Sequence, residues 1–397
     1  MKFKKIGSLA IASFVAVTFT ACSGGATAGG DAPSENTSKS EASDTSADAE
    51  ASTGTETIKI GSVGPLTGPN AQYGNETFNG VNLAFEESGL DVEFITYDDK
   101  ADPAEATNLY QRLVSNDGVN LFLGAVTSGS TAAVASASQA DGIPVLSPTA
   151  TQDDVTLLGD NVFRACFKDS FQGEVLAKYA FEELGITSTA VLYNNALDYS
   201  TGLAEAFETT FVSLGGEVVA SESYSDTDVD FKTQLNGIAA KEPQALFLPD
   251  YYEKIALLGK QVHDLGMDVT LLGADGWIGV MDVVEDPAYL NGAYVVNNFS
   301  TEDETPIVQE FIANYTEKYG VAPTGFSASG YDAAKIALDA IERAGSTDYD
   351  AIINALKETN IDSVGGNITF DENGDPLKGA LILEVIDGTM TLVNKTN

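Results

Sequence analysis

The chain has little of the side-chain chemistry on which most enzymes and metalloproteins depend. Its 397 residues include two cysteines, one histidine and one tryptophan. Two isolated cysteines, Cys22 and Cys166, form neither a CxxC metal site nor an iron–sulfur cluster. The single His263 falls in the last turn of a predicted helix, where a cation is favoured without a catalytic role. Because no Gly-x-Ser-x-Gly elbow, P-loop or histidine cluster occurs, we predict no catalytic residues, no metal and no cofactor.

Basic residues are also scarce. Lys and Arg number 20 against 59 Asp and Glu, which gives a formal charge of −39. Residues 1–21 contain three lysines and no acid, so their removal would move the charge from −39 to −42. Such a surface excludes nucleic acid as a natural partner. The acidic residues are spread along the chain and form no block of five or six. We therefore attribute the negative charge to solubility in an extracellular or salty medium.

Long apolar runs are absent after the first twenty residues. Three lysines precede an apolar run from Ile6 to Phe19, whose 14 residues fall short of the ~20 that a membrane span needs. The pattern is typical of an export signal. Its end, Thr20-Ala21-Cys22, resembles the bacterial lipobox, with Phe19 where leucine is usual. The resemblance implies a lipoprotein signal peptide over 1–21 and a lipid on Cys22. A secreted protein in which Cys22 has no role stays open.

The segment after Cys22 has almost nothing to bury. Of the 33 residues from Ser23 to Thr55, 24 are Ser, Thr, Ala or Gly, and none is a large apolar residue. Such a chain cannot offset its ordering entropy by burial. We predict a disordered linker over 22–55, which would hold a folded domain about 30 Å from a membrane. A disordered N-terminus without a purpose would have the same composition.

From residue 56 onward, strand-like and helix-like segments alternate, and about 340 residues are ample for two core-bearing domains. This alternation predicts an α/β fold with two doubly wound lobes, mostly parallel sheets and a cleft between them. Proline and glycine support it locally: Asp102-Pro103 starts a predicted helix, and Gly89 ends another. Predicted strands cover 58–63, 92–97, 119–123, 143–146, 189–193, 217–224, 245–248 and 269–272, and predicted helices 73–87, 103–114, 130–140, 173–184, 200–212 and 252–265.

Two loops that follow predicted strands are rich in hydroxyl groups. The loop from Gly124 to Thr131 lies directly before a helix, and the loop from Ser147 to Thr151 follows the next strand. Hydroxyls and the free N–H groups of a helix start together favour an anion. Ordinary capping and turn formation would explain either loop alone. Two such loops at one sheet edge favour an anion-binding site.

Several segments together resemble periplasmic binding proteins of the leucine/isoleucine/valine type. They occur in the order and spacing of that family and extend over essentially the whole chain after the linker. The segments are 58–78, including Gly61-Ser62-Val63-Gly64-Pro65-Leu66-Thr67-Gly68 and Ala71-Gln72-Tyr73-Gly74, then 127–131, 144–151, 163–173, 198–202 and 273–276.

The resemblance implies a type I periplasmic binding fold, in which two lobes joined by three hinge crossovers close on an amino acid. It places the N-terminal lobe at 56–171 plus 299–361 and the C-terminal lobe at 172–298 plus 362–397. It also implies a monomer that delivers its ligand to the permease subunits of an ABC transporter from the extracytoplasmic side of the cell membrane.

The resemblance also assigns ligand contacts. Ser128 and Thr151 match positions whose hydroxyls bind the ligand carboxylate, and Thr149 matches one whose backbone carbonyl meets the amino group. Asp275 and Tyr251 match the acid and the aromatic neighbour of the ammonium, with Asp in place of the more usual Glu.

The residues themselves support the same polarity, because a desolvated zwitterion needs donors at one end and a negative charge at the other. An ordinary turn aspartate is the alternative for Asp275. Tyr73, Tyr199 and Trp277 fall in loops expected to line the cleft and favour an apolar ligand, although core burial is open for Trp277. A sensory module, or a receptor for an amide, urea or an aromatic acid, is the alternative function.

Overall fold

The computed structural model describes residues 57–396. The predicted signal peptide 1–21, the lipidation site Cys22 and the predicted linker 22–55 lie outside the described residues. No helix in the described part is both long and apolar enough to cross a membrane.

Strands and helices alternate through most of the described chain, as predicted. In chain order the elements are β1 (Ile58–Gly64), α1 (Ala71–Ser88), β2 (Val92–Asp98), α2 (Pro103–Arg112), β3 (Leu121–Phe122), α3 (Ser128–Asp141), β4 (Val145–Ser147), β5 (Val162–Arg164), α4 (Asp169–Lys178), β6 (Ser188–Asn194), α5 (Asp198–Ser213), β7 (Glu217–Tyr224), α6 (Lys232–Ala239), β8 (Ala245–Phe247), α7 (Tyr252–Asp264), β9 (Thr270–Gly273), α8 (Val280–Val283), β10 (Tyr294–Asn297), α9 (Pro306–Tyr319), α10 (Gly325–Ala344), α11 (Tyr349–Lys357), β11 (Asn360–Ser363), β12 (Gly366–Thr369), β13 (Ala380–Ile386) and β14 (Thr389–Thr396).

Helix ends follow the local sequence signals. The Asp102 carboxylate accepts hydrogen bonds from the N–H groups of Ala104 and Glu105, both at 2.9 Å, and Pro103 occupies the first position of α2. At the end of α1, Gly89 takes the left-handed conformation with φ of 67°. Four helices, α1, α3, α4 and α5, start two to four residues earlier than predicted. Of these, α3 starts at Ser128 instead of 130 and α4 at Asp169 instead of 173, so both residues lie in a first helical turn, where backbone N–H groups are free.

Two sheets form the two lobes. The first has five strands in the order β2-β1-β3-β4-β5, all parallel. The second has the order β14-β13-β10-β9-β8-β6-β7, in which β13 runs antiparallel to both of its neighbours, β10 and β14, and the other strand pairs are parallel. The predicted α/β fold class, with two lobes of mostly parallel sheet, is confirmed.

Helices cover both faces of each sheet, because side chains alternate along a buried strand. In the first lobe, Leu121 and Leu123 pack with α1 and α10, whereas Phe122 between them packs with α2 and α3. In the second lobe, Leu246 packs with α6 and α7, and Phe247 packs with α4 and α5. These are four apolar layers, two for each lobe.

The chain passes between the two sheets three times: after β5, after β10 and after β12. Val364 and Ile368 belong to the core of the first lobe, so the β11–β12 hairpin packs there. The boundary predicted from the sequence had assigned the residues after 361 to the second lobe. In the structure the third passage lies between β12 and β13, where an isolated bridge joins Phe370 and Pro376.

Candidate functional site

A small cavity lies between the lobes, at the carboxyl ends of the parallel strands. Ligands of open α/β sheets bind in this place, since loops from several strands converge there. The cavity brings together seven of the eight ligand-binding residues predicted from the sequence. Its lining consists of Tyr73, Val126, Thr127, Ser128, Thr149, Thr151, Tyr199, Tyr251, Asp275, Gly276 and Phe326.

The two hydroxyl-rich loops of the first lobe are bonded to each other. Thr149 donates its hydroxyl to the carbonyl of Val126 at 2.6 Å, and the N–H of Gln152 donates to the Ser128 hydroxyl at 3.3 Å. The Thr149 side chain is therefore committed to the neighbouring loop, which leaves its backbone as the part available to a ligand.

Helix α3 starts at the cavity. Ser128 is its first residue, and Thr127 before it is extended and makes no side-chain capping bond. The free N–H groups and the positive end of the helix dipole thus lie at the cavity wall, beside the Thr151 hydroxyl. This wall suits a negatively charged group.

Asp275, from the second lobe, faces the cavity directly after β9. Its Oδ1 accepts hydrogen bonds from the Tyr199 hydroxyl at 2.8 Å and from the Gln172 amide at 3.1 Å. The backbone N–H of Asp275 donates to Gln172 Oε1 at 3.1 Å. The side-chain amide of Gln172 therefore bonds both the carboxylate and the backbone of Asp275. Burial raises the pKa of the Asp275 carboxyl to about 6, although these donors act in the opposite direction.

Asp169 is a second buried acid beside the cavity that the sequence reasoning did not assign. It lies in the first turn of α4, and Gln172 Nε2 lies 3.4 Å from its Oδ1. Its Oδ2 has no hydrogen-bond partner among the described residues. Burial, followed by the nearby charge of Asp275, raises its pKa well above the usual value. The available signal was its place at a helix start inside the first passage between the lobes.

The lining of this cavity contains a carboxylate without a counter-ion. None of the described lining residues is Lys, Arg or His. A buried carboxylate without a cation is unfavourable, and its raised pKa reflects that cost. The second-lobe wall of the cavity is therefore suited to a positively charged group.

Tyr73 joins the two lobes across the cavity. Its hydroxyl donates to the carbonyl of Gly276 at 2.6 Å and accepts from the N–H of Tyr252 at 3.2 Å. Its ring stacks on Phe326 from α10, with centroids 4.3 Å apart. The Tyr73 side chain of the first lobe is thus hydrogen-bonded to the backbone of the second lobe, and these bonds depend on how the two lobes are placed.

Two further tyrosines complete the aromatic wall. Tyr199 and Tyr251 stack with ring centroids 5.1 Å apart, and Tyr251 meets Tyr73 edge to face at 5.4 Å. The Tyr199 hydroxyl also accepts the N–H of Gly276 at 2.9 Å while it donates to Asp275. The aromatic faces offer apolar surface beside the buried acid.

Trp277 is not brought to the cavity with the other predicted residues. It is fully buried in the core of the second lobe, and its indole N–H donates to the carbonyl of Leu248 at 2.9 Å. Its ring packs against Gly273, where an added Cβ would lie only 2.4 Å from Cε2. The short helical turn Asp275–Trp277 directs its first side chain to the cavity and its last to the core.

A second small cavity adjoins the first and shares Thr149, Asp275 and Phe326 with it. Cys166 is part of its lining, and the thiol donates to the carbonyl of Ala150 at 3.2 Å. Burial raises the pKa of this thiol to about 12, so it stays protonated. Within the described residues, no cluster of three or more His, Cys, Asp or Glu could hold a metal ion.

These features define a two-lobed binding protein with a closed site for a small polar ligand. A sequence profile described as "Periplasmic binding protein" matches residues 57–389. The chain therefore belongs to the periplasmic binding protein family, with the type I fold, and this membership implies a place outside the cytoplasm.

Individual relatives show the same similarity. The Leu/Ile/Val-binding protein BraC3 of Rhizobium johnstonii is 30% identical over 80% of this chain and 88% of its own length. A leucine-binding protein LivK from Thermotoga maritima superposes with a TM-score of 0.82 at 31% identity, over 86% of this chain and 99% of its own. The branched-chain amino acid binding protein LivJ from Streptococcus pneumoniae, in complex with isoleucine, gives a TM-score of 0.80 at 30% identity, over 86% and 100%.

Proposed function

We propose that this chain is the substrate-binding protein of an ABC importer and captures an apolar α-amino acid by closure of its two lobes. It acts by binding and not by catalysis. The chain is held outside the cytoplasm by a lipid on Cys22 and presents its loaded form to the permease subunits as a monomer.

The observation that carries the proposal is the opposite polarity of the two ends of one cavity. Ser128, Thr151 and the start of α3 offer donors from the first lobe, and Asp275 offers a negative charge from the second. A zwitterion would satisfy both ends at once, whereas a simple carboxylate would leave Asp275 without a cation. A buried charge without a partner costs several kcal/mol, so the arrangement selects an ammonium together with a carboxylate.

The walls between these ends support an apolar side chain. Tyr73, Tyr251 and Phe326 turn aromatic surface to the cavity, and Val126 adds an aliphatic group. The similarity to proteins named for leucine, isoleucine and valine binding, one of them in complex with isoleucine, supports the same class of ligand.

Closure follows from the division of the site between lobes. A ligand shifts a conformational equilibrium only as far as its affinity for the two states differs. Because the carboxylate donors belong to one lobe and the ammonium acceptor to the other, a bound amino acid would favour the closed arrangement in which Tyr73 contacts Gly276.

The test is a thermal-shift and calorimetric screen that separates the two ends of the ligand. The panel contains the twenty amino acids and, for leucine, its amide and its α-keto acid, with benzoate and urea as rival ligands. We expect leucine, isoleucine or valine to stabilise the protein by about 2.7 kcal/mol at 100 times the dissociation constant. The amide lacks the carboxylate and the keto acid lacks the ammonium, so both should bind far more weakly.

The results of this screen distinguish an amino acid ligand from the rival ligands. Equal binding of leucine and its α-keto acid would remove the ammonium role of Asp275. Tight binding of benzoate or urea with no amino acid bound would replace the proposed ligand by one of the rival classes.

A further inference from the structure

Arg164, at the end of β5, is a fully buried guanidinium that lies outside the lining of the cavity. It makes five hydrogen bonds, as many as a guanidinium has N–H groups. Their acceptors are Asp375 Oδ1 at 2.6 Å, the carbonyls of Ala150 at 3.2 Å, Gln152 at 2.7 Å and Asp153 at 2.9 Å, and the Thr156 hydroxyl at 3.3 Å.

Three of those acceptors are consecutive or nearly consecutive carbonyls of the loop that follows β4. The carbonyl of Ala150 also accepts a hydrogen bond from the thiol of Cys166 at 3.2 Å. Two donors, Arg164 and Cys166, therefore fix the direction of this carbonyl. In a trans peptide the carbonyl and the next N–H point in opposite directions. The N–H of Thr151 is therefore directed away from Arg164, on the side of the loop where Thr151 lines the cavity.

We propose that Arg164 is a positioning residue for the carboxylate end of the site, an inference that rests on the proposed amino acid ligand. By holding the carbonyls of Ala150 and Gln152 on one side, it keeps the Thr151 N–H and hydroxyl turned toward the ligand carboxylate. A carboxylate held by a charge-neutral set of donors needs those donors oriented before it arrives, because it cannot reorient a buried loop without cost.

Asp375 ties this arrangement to the passages between the lobes. It lies in the third passage, 6% exposed, and its second oxygen is 3.2 Å from the ammonium of Lys168 in the first passage. The Thr156 hydroxyl donates to the same oxygen that Arg164 contacts, at 2.9 Å. The guanidinium charge is thus balanced by Asp375, which does not line the cavity, and its remaining four N–H groups bind the loop.

The test uses the full chain with Arg164→Lys, which keeps the charge but not the planar fork. The matched control is Asp332→Asn, which breaks another buried ion pair of the third passage, the 2.9 Å contact to Lys378, and does not touch the 147–156 loop. Each protein is titrated with leucine and, into the millimolar range, with leucinamide, whose carboxylate end is neutral.

We expect Arg164→Lys to weaken leucine binding at least 30-fold while leucinamide binding changes less than threefold, and Asp332→Asn to change neither by more than threefold. A purely structural role would weaken both ligands together. Equal losses for the two ligands, or no loss for leucine, would overturn the proposal.

A measurement without ligand tests the positioning role of Arg164 independently of the proposed function. Amide hydrogen exchange of residues 147–156 should accelerate at least tenfold in Arg164→Lys and stay unchanged in Asp332→Asn. If the wild-type protein bound no amino acid, the proposed function would fail, and unchanged exchange in this loop would independently refute the positioning role. Should Arg164→Lys not fold, Asp375→Asn takes its place, with a three- to tenfold loss for leucine and faster exchange expected, and with an unchanged variant counting against the proposal.

Discussion

The two lobes contribute polar groups of different kinds to one cavity. The first lobe supplies hydroxyls and the free N–H groups at the start of α3; all of these groups are neutral, and the Thr149 hydroxyl already donates to the carbonyl of Val126. The second lobe supplies Asp275, whose pKa is raised to about 6 by burial despite the donors around it. Burying neutral donors costs the ligand-free protein little stability. A buried charge, in contrast, destabilises the protein until a cation binds next to it.

The largest effect is expected where this charge is removed. Asp275→Asn keeps an oxygen for Tyr199 and Gln172 but loses the ammonium partner, so amino acid binding should fall by several kcal/mol, beyond a hundredfold. The ligand-free variant should meanwhile become more stable at pH 7, by an amount on the order of 2 kcal/mol, since the raised pKa measures the cost of the charge. Calorimetry and urea unfolding measure the two effects.

Asp99→Asn is the matched control for that substitution. Asp99 is also buried, its pKa is raised to about 6 by the same cause, and it does not line the cavity. Both variants should gain stability, but only Asp275→Asn should lose binding. If Asp275→Asn bound leucine like the wild type, the contrast between the lobes would have no functional meaning.

The neutral side of the comparison is tested by Ser128→Ala together with Thr151→Ala. Hydrogen bonds to a charged group contribute about 1.5–3 kcal/mol each, so the double variant should lose at least about 100-fold in affinity for the amino acid. Its stability should change little beyond the loss of the Ser128 contact to Gln152. An affinity loss below tenfold would shift the carboxylate role away from these hydroxyls.

Acid should weaken binding through the second lobe alone. Because burial raises the folded-state pKa of Asp275 from 3.8 to about 6, its carboxylate is protonated as the pH falls below 6 and the ammonium loses its partner. Affinity should be level from pH 7 to 8 and fall by up to tenfold per pH unit below 6. The same raised pKa makes the ligand-free protein less stable as the pH rises from 4 through 6. Titrations from pH 5 to 8 check this, and a flat profile would contradict it.

The smallest effect should come from the contact between the lobes themselves. Tyr73→Phe removes two hydrogen bonds, to Gly276 and Tyr252, each of which contributes about 0.5–1.5 kcal/mol. Leucine affinity should fall by at least about fivefold, since the closed arrangement is favoured less. Tyr315→Phe is the control: its hydroxyl is bonded at 3.0 Å to Ser327 within the first lobe, and its loss should leave affinity unchanged. Equal losses in both variants would show a general effect on stability.

Much of the cavity could be predicted because it is built from loops directly after strands. Ser128, Thr149 and Thr151 follow β3 and β4 of the first sheet, and Asp275 follows β9 of the second, so strand prediction together with the family pattern placed them at the strand ends that face the cleft. Asp169 was missed because its predicted helix began four residues too late, which left it in a connecting segment. Arg164 was seen only as part of a motif, since nothing local indicates that its five partners include an aspartate 211 positions away.

Trp277 illustrates the opposite limit. Its separation of two residues from Asp275 is compatible with a shared pocket in an extended loop, but the loop closes into a short helical turn. The direction of each side chain then depends on Gly273 and Leu248, which leave room for the indole and accept its N–H. Tertiary packing thus determines that Trp277 points into the core, and no periodicity in the sequence indicates that direction.

The amino-acid sequence by itself determined the alternation of strands and helices, their capping residues, the acidic surface and the polarity of the loops, because each depends on neighbours a few residues apart. Only the tertiary structure decided which acids are buried, which aromatic rings line the cavity and what holds the carboxylate loop. Those properties depend on contacts between distant segments, such as Arg164 with Asp375 and Tyr73 with Gly276, whose strength comes from exclusion of water in the folded state.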